Sequence, residues 1–174
     1  MDFMREAIKE AEQGIRQGDG GPFGAVVVRD GVIIGRGHNT VVSDKDCTNH
    51  GEMNAIRDAC KNSGDFSLKG CVLYTTAEPC PMCLSAILWA RIDKVYYGCT
   101  IADTKSIGFD DERFYGELER HFANVSNGAE VNTDLGDSIV TPNTIPLCSL
   151  ECSDRDLCLG LFKEYAEIKE RTLY

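Results

Sequence analysis

Long apolar runs are missing from this chain of 174 residues. None approaches the ~18 residues of a membrane span, so no membrane partner is expected. The charged and apolar regions of an export signal are missing too. The sequence opens directly on a helical pattern, and no signal peptide is expected. Basic residues are outnumbered, 18 Lys and Arg against 28 Asp and Glu, for a net charge of −10. Nucleic-acid surfaces normally cluster Lys and Arg, so this balance argues against such a partner. No repeat, linker or low-complexity segment divides the chain. A single domain over 1–174, large enough for a core of its own, is the expectation.

Cysteine is plentiful. Nine of them, an odd number, suit a disulfide framework poorly and point to a reducing, cytoplasmic setting. Cys60, Cys71 and Cys99 lie in apolar contexts and read as small buried hydrophobes. Cys47, Cys148, Cys152 and Cys158 are harder to place. No histidine or Cys-x-x-Cys accompanies the last three, as a second metal site would require.

Cys80 and Cys83 are different. They form Pro79-Cys80-Pro81-Met82-Cys83, with Cys80 thirty positions after the His50 of His50-Gly51-Glu52. His-x-Glu followed by Pro-Cys-x-x-Cys is the signature of zinc deaminases. One imidazole and two thiolates leave the fourth tetrahedral position open, which separates a catalytic zinc from a structural one. Zinc so held lowers the pKa of its water toward neutrality, making a nucleophile for an amidine-like ring carbon that bears an amine. The spare carboxylate of Glu52 can carry the protons to a ring nitrogen and then to the departing amine. Pro81 suits a first helical turn, so His50 and the cysteine pair are each expected to open a helix. Two helix N-termini aimed at the metal favour thiolate and developing oxyanion. A lone Cys-x-x-Cys also serves redox pairs and zinc knuckles, which leaves a non-catalytic zinc-binding module as the reading from another class.

The pattern along the chain predicts a helix over 2–17, a loop at 18–22 and a hairpin of 25–28 and 32–34 around Asp30-Gly31. A helix over 50–62, a strand over 71–75, a helix over 80–91 and a strand over 94–98 follow. Later expectations are a short helix over 110–120, a loop over 124–136, a last strand over 144–150 and a closing helix over 154–171. This alternation makes a layered α/β sandwich.

With these residues in place, the chain resembles the cytidine-deaminase-like superfamily of zinc hydrolases, and within it the guanine/guanosine deaminases. The resemblance runs from Gly21-Pro22-Phe23-Gly24-Ala25-Val26 to Gly108-Phe109-Asp110-Asp111, and includes Ala86-Ile87-Leu88-Trp89-Ala90-Arg91 and Tyr174. It implies a three-layer α/β/α sandwich with a mixed central sheet of about five strands. It also implies one zinc per chain on His50, Cys80 and Cys83, with Glu52 shuttling protons and backbone amides near Gly51 and Cys80 holding the new oxygen. The implied substrate is a small nucleobase or nucleoside, guanine converted to xanthine and ammonia being favoured. Cytosine deamination and tRNA adenosine deamination are the alternatives. Asn39 and Asp111 would hold the base edge, and Phe23 and Trp89 its faces. Tyr174 would complete the site, as part of a tail (about 152–174) exchanged in a homodimer. Plainer roles stand beside these: a turn for Asn39, core packing for the two aromatics, a helix cap for Asp111 or its neighbour Asp110, and a loose end for Tyr174. Glycine at position 51, where guanine deaminases more usually carry alanine, resembles the fungal-type cytosine deaminases.

Overall fold

A computed structural model describes residues 2–128 and 148–174. Its framework is a five-stranded sheet in the order β2-β1-β3-β4-β5. β1 (Gly24–Arg29) and β2 (Val32–His38) form the expected hairpin, with Asp30 and Gly31 both at positive φ in the turn, the geometry that matches strand twist. β1 also pairs antiparallel with β3 (Cys71–Ala77), whereas β4 (Lys94–Cys99) and β5 (Ser149–Cys152) join in parallel. The sheet is therefore mixed.

Side-chain alternation on β1 builds the layers. Ala25 and Val27 face one core with α3 (Gly51–Ser63), whose Ala55, Ile56 and Ala59 pack there, and with Ile87 of α4 (Pro81–Trp89). Val26 and Val28 face the other core, with Met4 and Ala7 of α1 (Phe3–Gln17) and Phe162 and Tyr165 of α7 (Arg155–Ala166). Helices on both faces of one sheet give the α/β/α sandwich. α3 lies very close to β2: a Cβ on Gly37 would fall 2.4 Å from the Ala55 nitrogen. That close approach sets where α3 begins, and with it His50.

Several late boundaries differ from expectation. α6 (Asp111–Gly128) runs well past 120, so the first part of the expected 124–136 loop is helical; the rest lies outside the described residues. The last strand sits at Ser149–Cys152 rather than 144–150, of which 144–147 lie outside the described residues. It gains its partner from β4, starting at Lys94 opposite Ser149. α7 stops at Ala166, and Arg171 then bonds back to the carbonyl of Ile168. Two short helices, α2 (Val41–Asp44) and α5 (Ile101–Ser106), were not expected. The second is explained by a reciprocal capping box between Thr100 and Asp103, a signal present in the sequence.

Candidate metal centre

Loops from two β-α crossings deliver the cluster. His50 is the N-cap of α3 and Cys80 the N-cap of α4, in nearly the same extended backbone conformation (φ −71, ψ 160 and φ −65, ψ 167). Pro81 occupies the first turn of α4, where its missing N–H is not needed. Nδ1 of His50 lies 3.6 Å from Sγ of Cys80 and 3.6 Å from Sγ of Cys83. The three ligand atoms fall within 4.8 Å of one another, the one such group found among the described residues. Ligands about 2.0–2.3 Å from a tetrahedral zinc would stand roughly 3.5–3.8 Å apart. The spacing fits, and so does the imidazole–thiolate donor set.

Glu52, in the first turn of α3, is buried with Oε2 3.6 Å from Sγ of Cys83. Burial, helped by the Cys80 charge, pushes its carboxyl up to about 7. A carboxyl poised there can both accept and release a proton near neutral pH. The cysteines ionise stepwise. The bond from Cys83, assisted by His50, holds Cys80 down to about 4, and the Cys80 thiolate in turn holds Cys83 well above the usual thiol range.

An inner cavity of about 180 Å³ opens on His50, Glu52 and Cys80. Its other walls include Phe23, Phe109, Asp111 and Tyr174. Phe23 meets Phe109 edge-on at 5.0 Å, and Phe109 meets Tyr174 at 5.2 Å, so the slot is walled by aromatic rings. It is smaller than the ~300 Å³ at which drug-sized pockets begin, and suits a small ring. An outer groove of about 560 Å³, floored by Met82, Phe114 and Leu118, shares His50, Cys80 and Asp111 with the slot.

The structure brings most of the expected residues together. Asp111 opens α6 at the cavity wall, and burial together with the Cys80 charge raises its carboxyl to about 6. Asp110 also lines the slot but is exposed and faces Lys105 at 3.8 Å. Tyr174 packs on its own chain, its hydroxyl accepting from the Gly21 nitrogen at 3.1 Å. Asn39 is fully buried just behind the lining residues. Its Oδ1 accepts from the Val41 nitrogen, an Asx turn, while Nδ2 is a buried donor that makes no hydrogen bond of good geometry and has the Tyr174 hydroxyl as its polar neighbour. Both of its readings therefore have a physical basis. Gly51 answers to packing: a Cβ there would fall 2.8 Å from the Phe23 carbonyl oxygen. Trp89 is not brought in. It sits 67% exposed at the last turn of α4, outside both cavities. Nine residues separate it from Cys80 along the chain, and the helix carries it away from the end that holds the metal ligands.

Sequence reasoning missed Cys47, Glu78 and Phe114 at the cavity wall. Glu78 had a signal in its place beside Pro79-Cys80. Its carboxylate accepts from the Ile101 nitrogen at 3.0 Å, tying the Cys80 loop to α5. Cys47, three positions before His50, had a similar signal, whereas Phe114 carried none, since only the fold brings its segment to the cluster.

Residues 1–99 match the cytidine and deoxycytidylate deaminase zinc-binding region. The chain belongs to this family. It is thus a zinc-dependent hydrolytic deaminase, and the three gathered side chains are those that fit the ion. The chain is 48% identical over 118 residues to a guanine deaminase of Bacillus subtilis, covering 68% of this chain and 76% of that protein. It is 45% identical over 96 residues to a tRNA-specific adenosine deaminase of the same organism, covering 55% of this chain and 59% of that one. The X-ray structure of guanine deaminase from Bacillus subtilis superposes with a TM-score of 0.65 at 38% identity, over 98% of this chain and 97% of that one.

Proposed function

We propose that this deaminase acts on a free purine base, converting guanine and water to xanthine and ammonia. The observation that carries this reading is the half-buried Asp111 carboxylate facing the metal cluster across a ring-sized slot. Beside the amine that leaves, guanine presents ring N–H donors together with the O6 and N7 acceptors. A carboxylate acceptor at Asp111 and the donor of Asn39, which makes no bond of good geometry within the protein, complement such groups. Likeness to guanine deaminase at 48% identity supports the same substrate.

His50, Cys80 and Cys83 would hold zinc, which supplies an activated water and Lewis acidity. The remaining work falls to the protein's own groups. Glu52 takes a proton from the attacking water as oxygen adds to the amine-bearing carbon, and passes it to the adjacent ring nitrogen. Glu52 then takes the remaining proton from the new hydroxyl and delivers it to the amine, which leaves as ammonia as the carbon–nitrogen bond breaks and the carbonyl forms. Free N–H groups at the starts of α3 and α4 stabilise charge on the new oxygen. Phe23 and Phe109 hold the ring and exclude water.

A tRNA substrate is disfavoured by electrostatics: Asp110, Asp111 and Glu117 border the cavity and groove, and would repel phosphodiesters. The glycine at 51, which resembled a cytosine-specific trait, is accounted for by the Phe23 carbonyl beside it, so a pyrimidine substrate is not needed to explain it. We place the enzyme in the cytoplasm as a homodimer. Nine free thiols support the first, and exposed Trp89 on the apolar helix α4 supports the second. No helix among the described residues is long and apolar enough to cross a membrane. A partner's tail making the Tyr174 contacts would give an exchanged dimer with the same site.

The test is ammonia release by zinc-loaded protein from guanine, guanosine, cytosine, cytidine and adenine. Turnover confined to guanine is expected. Turnover of a pyrimidine in its place would overturn the substrate while leaving the chemistry of the centre intact.

A further inference from the structure

Helix α6 contributes Asp111 to the cavity, yet its first turn is otherwise held by exposed ion pairs of Lys105 with Asp110 and Glu112. Such pairs contribute about 0–1 kcal/mol and do not fix a side chain to a fraction of an ångström. One turn further along, Tyr115 makes a different kind of contact. Its hydroxyl donates to the carbonyl oxygen of Pro79 at 2.8 Å, from a partly buried position. Pro79 immediately precedes the metal ligand Cys80. Asp111 and Tyr115 are four residues apart on a helix and therefore share a face. The other side of the Cys80 loop is fixed by Glu78, whose backbone nitrogen donates to the Cys99 carbonyl at 2.7 Å and whose carboxylate accepts from Ile101.

We infer that Tyr115 is a positioning residue whose bond to Pro79 sets the separation between the Asp111 carboxylate and the metal ligand Cys80. The inference rests on the proposed role of Asp111 at the base edge. A single neutral hydrogen bond is modest in stability, but here it spans the two parts of the site that must grip one small ring. Groups that orient first-sphere ligands typically change metal affinity or activity by roughly 10- to 100-fold when removed. Tyr115 acts through Asp111 and Cys80 and needs no contact with the substrate.

Tyr115→Phe keeps the ring and deletes only the hydroxyl. Zinc-loaded wild type, Tyr115→Phe, Asp111→Asn and the double variant are compared for kcat and KM on guanine. We expect Tyr115→Phe to lose roughly 10-fold in kcat/KM with its zinc retained, and to cause little further loss in the Asp111→Asn background. Equal losses in both backgrounds, or none in either, would overturn the inference. So would a wild-type rate for Asp111→Asn, which removes the group Tyr115 is said to position.

The cobalt-substituted proteins give a second reading that needs no substrate. The visible bands of Co²⁺ bound by one histidine and two cysteines should shift in Tyr115→Phe as the Cys80 loop relaxes; unchanged bands would sink the positioning role. If wild type holds zinc but does not deaminate guanine, the proposed function fails, and the cobalt spectrum decides Tyr115 by itself.

Discussion

The two halves of the site are built on different plans. His50, Glu52, Cys80 and Cys83 come from two helix starts set directly on the sheet, close in sequence and buried or nearly so. Asp111, Phe114 and Tyr174 come from a helix and a tail that lie beside the sheet, joined to the first half by ring contacts and a few hydrogen bonds. On the function proposed above, the first half holds the groups that break the carbon–nitrogen bond, and the second shapes which ring can reach them. The match to the family covers residues 1–99, which hold the first half together with Phe23 and Asn39, and leaves Asp111, Phe114 and Tyr174 beyond it. The proposed function thus puts the chemistry in the compact half and much of the discrimination in the looser one.

That division is open to attack. Glu52→Gln should give the largest loss, on the order of 10²- to 10⁴-fold in kcat, the usual worth of a general acid–base group. Zinc content should remain at one per chain; a variant that loses its zinc would make Glu52 part of the metal site and blur the division. Asp111→Asn keeps the shape and removes the charge. Bonds to charged groups are worth about 1.5–3 kcal/mol, so roughly 10- to 150-fold in kcat/KM for guanine is expected, with a smaller penalty on a pyrimidine. An equal loss on every base would show that Asp111 belongs with the bond-breaking half.

A subtler effect tests the support of the first half. His38, at the end of β2, bonds Asp19 at 2.9 Å and lies 4.0 Å from Glu10. Glu10, opposed by burial and aided by Asp19, raises the imidazole above 6.5, and His38 in turn helps lower the Glu10 carboxyl below 4.5. The His38 contribution to stability is therefore complete below its unfolded value and is lost as pH rises through the raised one. The Glu10 contribution is present above 4.5 and lost on acidification. Thermal unfolding followed from pH 5 to 9 should show a decline above neutrality that His38→Gln flattens, and an unchanged slope would exclude the pair as its source. Smallest of all is Trp89→Ala: in the isolated chain an exposed substitution stays within about 0.5 kcal/mol, so Tm should barely move. A fall in kcat/KM together with a smaller sedimenting mass would tie Trp89 to the site through a second subunit.

The sequence was legible where contacts are local. The hairpin around Asp30-Gly31, the helix starts at His50 and Cys80, and the metal cluster were readable because turn chemistry and ligand spacing repeat over a few residues. Glu52 could be singled out because its spacing from His50 is itself part of the motif. What could not be read depended on tertiary contact. α6 outruns its apolar pattern, β5 owes its strand form to pairing with β4, and Phe114 reaches the cavity only because the fold brings α6 there. Trp89 was expected at the pocket because the resemblance put an aromatic there, on the helix that carries Cys83. Sharing a helix gives a direction only when the turns are counted, and its place on the last turn puts it on the surface.

Gly51 has a consequence for the family as a whole. The Phe23 oxygen stands only 2.8 Å from where a methyl group at position 51 would lie, and the same peptide accepts from the Asn39 backbone at 2.9 Å. A relative that carries alanine in this place must hold the strand entry farther from the helix, and must carry Phe23 and Asn39 outward with it. The middle letter of the motif thus acts as a ruler for the gap between sheet and helix. Reading it across many sequences would sort them by the width of the slot, before any of their substrates is known.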